Sequence, residues 1–153
     1  MNRILILIIL IFLDIFSKQF IFKTVSLNSF IFVNNFFDIV HIHNFGISFG
    51  MFSSLNSPWI FIVIGIFITG VIVIMYLQSK NNIEKWGLLV IISGALSNII
   101  DRAMNGYVID FLYLHYKDFY WPAFNFADIY ISIGIIIIVI KILYDFQNRI
   151  LNK

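Results

Sequence analysis

The chain has 153 residues, of which 61% are hydrophobic and 12% charged; its net charge is +2 and it has no cysteine. A soluble domain usually has about a quarter charged residues and less than half apolar ones, so this composition excludes a soluble body. The lack of cysteine excludes disulfides, thiolate metal sites and a thiol nucleophile. The small, scattered charge excludes a nucleic-acid-binding stripe. The length predicts a single domain, 1–153.

Four apolar stretches have the roughly 20 residues that a membrane-spanning helix needs. They cover about 4–22, 59–77, 86–103 and 126–143. We expect the first to be a retained helix, because no small-x-small cleavage site of the kind that ends a signal peptide follows it. The sequence therefore predicts an all-α membrane protein with four transmembrane helices.

Basic residues outside these spans are distributed unevenly. The side that holds both termini carries Arg3, Lys80, Lys85, Arg149 and Lys153, and the opposite side carries Lys23 and Lys117. Positively charged loops of membrane proteins lie mainly in the cytoplasm. Both termini are therefore predicted to be cytoplasmic.

Two loops would then face outward, 23–58 and about 105–125. Asp38–His43 alternates apolar and polar residues, and Tyr107–His115 is rich in β-branched and aromatic residues, so each predicts a short strand. Backbone close to lipid must satisfy its hydrogen bonds internally. We expect these strands to pair into a small β platform on the extracytoplasmic surface.

Six charged residues within or beside the spans need an explanation, because each charge there costs roughly 2.5–3.5 kcal/mol. They are Asp14, Lys18, Asp101, Arg102, Asp110 and Asp128. Asp14 and Lys18 are four residues apart on one helix face, so they can form an ion pair. Asp101 and Arg102 can also pair, and a purely structural role is a strong alternative for all four.

Asp110 and Asp128 differ from the other four because neither has a basic neighbour within four residues. Two carboxylates held close together cannot both ionise, so they share one proton. The ionised member can then take a proton from water, while the protonated member donates to the scissile carbonyl oxygen. This is the chemistry of an aspartyl protease, and it requires no metal or covalent intermediate.

Four sequence blocks make this interpretation specific. They are SGALSNIIDR at 93–102 with GYVIDF at 106–111, FNFAD at 124–128, Asp14 with Lys18, and NFGISFG at 44–50. In content and order these blocks resemble the motifs of lipoprotein signal peptidases (signal peptidase II). The resemblance covers essentially the whole chain.

The resemblance implies an aspartic-type endopeptidase of the bacterial inner membrane, with its active site at the outer face. Such enzymes remove the signal peptide from a prolipoprotein, cutting before a cysteine that carries diacylglycerol. The resemblance implies Asp110 and Asp128 as the catalytic pair. Residues expected to bind substrate or support the site are Asn44, Gly46, Asn98, Arg102, Asn125, Asp14, Lys18 and Asp101. Expected partners are the lipidated substrate and membrane lipid, without nucleic acid, metal or cofactor, and the protein is expected to be a monomer.

Two motifs depart from the family pattern, one at a single residue and one at two adjacent residues. Ser97 stands where members often have glycine, and Ile47 and Ser48 stand where they often have two alanines. The second change is expected to alter the surface nearest the lipid or signal peptide. Neither affects an ionisable group, so activity is still expected.

Three other interpretations remain. A proton-coupled transporter or channel subunit would explain Asp14 but not the acids at one rim, and the chain lacks the repeated halves of many transporters. A non-enzymatic assembly factor would tolerate loss of either rim aspartate. His41 and His43 share a face of a predicted strand and could bind a metal with His115, but no HExxH helix is present, so surface histidines are favoured.

Overall fold

The computed structural model describes residues 2–46 and 58–151. The helices are α1 (Arg3–Thr24), α2 (Pro58–Gln78), α3 (Asn82–Asn105) and α4 (Phe126–Leu151). The strands are β1 (Phe30–Asn34), β2 (Phe37–Asn44), β3 (Val108–Tyr116) and β4 (Phe119–Tyr120). All four helices are long and apolar enough to cross a membrane, which confirms the predicted fold class.

The third helix forms the centre of the bundle. Its most apolar 18-residue window is 44% buried, whereas the corresponding windows of α1, α2 and α4 are only 11–17% buried. α3 contacts each of the other three helices. The outer three therefore present large apolar side chains around most of their circumference, as expected for helices whose solvent is lipid.

Close packing between α3 and α4 depends on a glycine. A Cβ atom added to Gly94 would lie 2.3 Å from the backbone oxygen of Ala127, well inside a van der Waals contact. Only a residue without a side chain allows the first turn of α4 to approach α3 this closely. This contact brings the residues around Asp128 against the middle of α3.

The chain leaves α3 through a left-handed cap. Gly106 follows the last helical residue with φ of 80°, and its N–H donates to the carbonyl of Arg102. Glycine adopts this conformation without steric penalty, which makes it a common helix terminator. The turn leads directly into β3, which begins two residues later and carries Asp110.

The four strands form one antiparallel sheet in the order β1-β2-β3-β4. The two predicted strands are present and paired, with Ile42 opposite Asp110 and Asn44 opposite Val108. β1 and β4 were not predicted. The sheet packs on the end of α1 through a small apolar cluster, formed by Ile21, Val25, Ile109 and Phe111.

A β-bulge in β2 corrects one expectation from the sequence. The register between β2 and β3 shifts between Ile39 and Ile42, so Val40 and His41 do not alternate between the two faces. Both side chains are buried, and His41 is only 3% exposed. His41 is therefore not a surface residue of a regular strand, as the alternation had suggested.

Candidate active site

Asp110 and Asp128 line the same cavity, whose volume is about 560 Å³. Asp110 lies on β3 opposite Ile42 of β2, and Asp128 lies in the first turn of α4. The two aspartates, 18 residues apart in the sequence, thus meet where the sheet joins the helical bundle.

Two side-chain amides hold the carboxylate of Asp110. Asn44 Nδ2 donates to Oδ2 at 2.9 Å, and Asn125 Nδ2 donates to Oδ1 at 2.7 Å. Asp110 is 3% exposed and Asn125 is fully buried. Both oxygens of this carboxyl group therefore have a neutral donor and little contact with water.

Asp128 is held by the start of its own helix and by α3. Its Oδ2 accepts from the backbone N–H of Asn125 at 3.2 Å, while the backbone N–H of Asp128 donates to Asn125 Oδ1 at 3.1 Å. This reciprocal pair is a capping box with aspartate at the third helical position. Asn98 Nδ2 donates to the other oxygen, Oδ1, at 3.0 Å.

Each of the three asparagine amides is oriented by a second hydrogen bond. The side-chain oxygens accept from three different donors, namely Gly46 N for Asn44 at 3.0 Å, Lys18 Nζ for Asn98 at 2.8 Å and Asp128 N for Asn125 at 3.1 Å. With each oxygen engaged in this way, each NH₂ group faces a carboxylate. The site is thus built to present hydrogen-bond donors to both aspartates.

Lys18 is the only buried lysine among the described residues and joins a second pair of aspartates. Its Nζ lies 2.7 Å from Asp14 Oδ2 and 3.4 Å from Asp101 Oδ2, besides donating to Asn98. Lys18 is 1% exposed and Asp14 is fully buried. The predicted Asp14–Lys18 pair is therefore present, and it extends through Asn98 to Asp128.

The carboxylates of this second pair also bind backbone N–H groups. Asp14 accepts from Ala127 N at 2.7 Å and from Ser97 Oγ at 2.5 Å. Asp101 accepts from Ile109 N at 3.0 Å. Asp14 thus ties α1 to the N-terminal turn of α4, where a helix favours negative charge. Ser97, one of the departures from the family pattern, supplies a hydroxyl that glycine could not.

Arg102 does not pair with Asp101, which corrects the expectation from their adjacency. Its Nη2 donates to the backbone oxygen of Gly46 at 2.7 Å, and its guanidinium carbon lies 5.9 Å from the ring centre of Phe61. Asp101 pairs with Lys18 instead. Because Arg102 lines the cavity, it links the 44–46 segment to the rim of the site.

The two cavity aspartates have no close cationic partner. Within 2–46 and 58–151, neither Asp110 nor Asp128 has a basic nitrogen within 4.0 Å. Burial raises the pKa of Asp110 to about 7, and the nearby carboxylate of Asp128 contributes to the rise, against the opposing effect of the two amides. Asp110 can therefore hold a proton at neutral pH.

Below the carboxylates the cavity continues between α2, α3 and α4 along mostly apolar walls. Its apolar lining includes Phe61, Ile64, Ile68, Ile99, Ile129 and Ile133. On the sheet side, Leu114 and Phe124 close the same cavity. The expected contribution of Ile47 and Ser48 lies outside the described residues, as does the rest of 47–57.

The histidines do not form the three-ligand site that was one interpretation of the sequence. His115 instead lies 3.3 Å from Asp38 and stacks on Tyr120. Across the described part of the chain, no group of three His, Cys, Asp or Glu side chains is placed to hold a metal ion. A catalytic centre of the kind found in metalloproteases therefore has no support from this geometry.

The capping box was missed in the sequence, although a signal for it was present. Asn125 and Asp128 have the spacing of a helix-capping pair just before an apolar run. Read in that way, the sequence would have placed Asp128 in the first turn of a helix, with its side chain turned back toward Asn125.

The fold and the site together define a multi-pass membrane protein with two carboxyl groups, one buried and one partly buried, at one end of its bundle. Residues 6–144 match the family described as signal peptidase (SPase) II. A lipoprotein signal peptidase of Thermodesulfovibrio yellowstonii is 43% identical over 87% of this chain and 88% of its own length. A lipoprotein signal peptidase of Borreliella burgdorferi is 38% identical over 99% of this chain and 95% of its own length.

The solved structures agree with these relatives. A structure described as a bacterial membrane enzyme superposes with a TM-score of 0.88 at 30% identity, covering 95% of this chain and 90% of the other. A second structure with the same description superposes with a TM-score of 0.82, also at 30% identity. The chain belongs to the signal peptidase II family and is an aspartic-type protease of the bacterial membrane.

Proposed function

We propose that this protein removes the signal peptide from diacylglyceryl-modified prolipoproteins, cutting just before the lipidated cysteine. In this proposal Asp110 and Asp128 activate a water molecule between them. The supporting observation is that both carboxyl groups lie at one cavity and accept hydrogen bonds from oriented amides, with no basic nitrogen of the described residues within 4.0 Å. A carboxyl pair in this environment can carry one proton and one negative charge.

The geometry favours Asp110 as the protonated member. It sits among neutral amides and its pKa is raised to about 7. Asp128 accepts from a backbone N–H at the start of α4, where the helix dipole stabilises an anion. Asp128 is therefore the better general base, and Asp110 the better general acid.

The proposed reaction has two steps, the addition of water to the carbonyl group and the collapse of the resulting diol. Asp128 takes a proton from water as the water oxygen attacks the scissile carbonyl carbon, while Asp110 gives its proton to the carbonyl oxygen. The resulting diol collapses when Asp128 donates to the leaving nitrogen of the cysteine and Asp110 recovers a proton from one hydroxyl. Both aspartates return to their starting state without a covalent intermediate.

The surroundings of the carboxyl groups suit this substrate. A signal peptide is an apolar helix, and the cavity extends from the aspartates along apolar side chains of three membrane-spanning helices. A bond at the end of the bundle can be reached without extracting either the helix or the diacylglyceryl group from the bilayer. Asn44, Asn98 and Arg102 line the cavity and are proposed to support the site and contact the substrate backbone.

The same proposal includes an orientation. The excess of lysine and arginine in the loops on the side of both termini supports cytoplasmic termini. The sheet and the two aspartates lie at the other end of the helices and would then face the outside, where lipidated precursors are anchored. Membrane lipid is a proposed partner, and a monomer is the proposed active form.

The test is cleavage of a purified lipidated prolipoprotein by the purified full-length protein in detergent, with the product identified by mass spectrometry. We expect a new N-terminus at the diacylglyceryl cysteine and no cut in the same precursor without the lipid. Asp110→Asn and Asp128→Asn should be inactive. Asp118→Asn is the matched control, because Asp118 is exposed at the end of the sheet.

Two results would overturn the proposal. Cleavage at another bond, or equal cleavage of the unlipidated precursor, would reject the substrate assignment. Near-normal turnover by either asparagine variant would reject the catalytic pair.

A further inference from the structure

His41 and His43 form a close pair that the proposed reaction does not use. Both belong to β2, and their Nε2 atoms lie 3.1 Å apart. Neither residue is among those that line the cavity of Asp110 and Asp128. The pair therefore needs an explanation of its own.

The hydrogen bonds fix the protonation pattern of these two rings. His41 Nδ1 lies 2.7 Å from the backbone oxygen of Val25, which can only accept, so Nδ1 carries the proton. The Nε2 of a neutral His41 is therefore an unprotonated acceptor, and it faces His43. A histidine that donates from one ring nitrogen to a carbonyl and offers a lone pair on the other has the usual arrangement of a metal ligand.

The second ring is held in position by aromatic neighbours. His43 stacks on Tyr107 with ring centres 3.7 Å apart and planes inclined by 14°. His41 contacts Phe22 edge-on, with ring centres 5.8 Å apart. His41 is buried, while His43 is partly exposed, so the pair is held in place and can still be reached from outside.

The spacing of the two nitrogens suits a shared cation. Two nitrogens at about 2.0–2.1 Å from one ion lie about 2.8–3.0 Å apart at the right angles of a tetragonal Cu²⁺ site and about 3.3–3.4 Å apart in a tetrahedral Zn²⁺ site. The observed distance of 3.1 Å between the Nε2 atoms falls between these values. When His41 is neutral, the proton that bridges the pair is carried by His43 Nε2. A metal ion can replace it if that proton moves to Nδ1 of His43, which leaves both Nε2 atoms as ligands and both rings neutral.

We propose that His41 and His43 bind one divalent transition-metal ion, with water in the remaining coordination positions. Neutral imidazole suits Cu²⁺, Ni²⁺ and Zn²⁺, and among these Cu²⁺ forms the most stable complexes. The site is separate from the proposed reaction, so the ion is a ligand of the sheet and not a cofactor.

The experiment is a titration of the purified full-length protein with Cu²⁺ in the presence of a weak competing chelator, followed by electron paramagnetic resonance. We expect one ion per chain, with hyperfine structure from two imidazole nitrogens. His43→Gln should weaken binding at least about tenfold, the scale on which lost metal-site contacts act. Zn²⁺ should compete for the same site.

Three variants separate this site from other places on the chain. His115→Gln should bind Cu²⁺ like the wild type, because His115 contacts Asp38 and Tyr120 instead. Asp110→Asn and Asp128→Asn should also bind normally. Unchanged binding by His43→Gln, a spectrum with one nitrogen, or loss of binding in either aspartate variant would overturn the proposal. Thermal unfolding of each variant checks that it is folded.

Discussion

Four aspartates lie close together at one end of this bundle, yet they fall into two pairs with opposite surroundings. Asp14 and Asp101 share the ammonium group of Lys18 and bind backbone N–H groups. Among the residues that the structure describes, the donors to Asp110 and Asp128 are side-chain amides and one backbone N–H, so we call these two aspartates the cation-free pair. We therefore propose that Asp14 and Asp101 are a scaffold pair, neutralised by Lys18, and that Asp110 and Asp128 transfer protons.

The two pairs are also physically connected. Lys18 donates to Asn98, and Asn98 donates to Asp128. The scaffold pair therefore orients a donor of the second pair through a single amide. Variants that remove one member at a time can test whether the two pairs really have different functions.

The largest effect is expected for activity in the cation-free pair. Asp110→Asn and Asp128→Asn should each lower kcat by 10³-fold or more, since acid–base catalysis by one group contributes about 10²–10⁴-fold. Their unfolding temperatures should be at or above that of the wild type. Asp101→Asn should show the reverse, with lower stability but near-normal kcat per folded molecule. Equal loss of activity in all three variants would mean that the two pairs of aspartates do not differ in function.

The second prediction concerns the cation of the scaffold pair. Lys18→Met leaves Asp14 and Asp101 buried without a counter-charge, and breaking a buried ion pair costs about 3–5 kcal/mol. The double change Asp14→Leu, Lys18→Met should recover part of this loss. Recovery should be incomplete because Ser97 Oγ and Ala127 N lose their acceptor. Equilibrium unfolding in detergent measures the stability of the single and the double variant. A double variant less stable than Lys18→Met would contradict the prediction that Lys18 neutralises Asp14.

The third prediction is a dependence of stability on pH. The pKa of Asp110 is raised from 3.8 to about 7, so the folded state holds this proton more tightly than the unfolded state does. The contribution to stability is fully present below about pH 4 and is lost as pH rises through about 7. Over about three pH units the loss approaches 4 kcal/mol.

Asp110→Asn is the reference for this effect. The free energy of unfolding of the wild type should fall relative to the variant between pH 4 and 7. Because the two carboxyl groups interact, the transition belongs to the pair. Parallel curves for the two proteins would mean that Asp110 ionises normally.

The smallest effect is expected at the amides. Asn98→Ala removes a hydrogen bond to a charged group, worth about 1.5–3 kcal/mol, so kcat should fall about 10- to 150-fold. Asn105→Ala is the matched control, because its amide donates to Asp101 in the scaffold pair. That variant should change stability and leave kcat nearly unchanged. Equal kcat losses in both would argue against a specific role of Asn98.

Much of this arrangement could be predicted from sequence because its causes are local. Apolar runs of helix length predict spans, and each predicted span lies within one observed helix. The i,i+4 spacing of Asp14 and Lys18 predicts their contact. Asp110 and Asp128 stood out because they lacked a basic neighbour in the sequence.

What could not be predicted depends on contacts between distant segments. Asp101 pairs with Lys18, and not with the adjacent Arg102, because α1 packs beside α3. His41 is buried because a bulge changes the register of β2. Ala127 N of α4 donates to Asp14 at a point where Gly94 of α3 lets the first turn of α4 approach closely. None of these follows from spacing along the chain.

The central proposal is that one aspartate of the cation-free pair carries a proton at neutral pH, while Lys18 pairs with Asp14 and Asp101. Infrared spectroscopy of the carboxylic acid stretch tests it directly. At pH 6 the wild type should show the band of a buried, protonated carboxyl group, and so should Asp101→Asn and Asp118→Asn. The band should be absent from Asp110→Asn. A band that persists in Asp110→Asn and vanishes in Asp101→Asn would contradict the account.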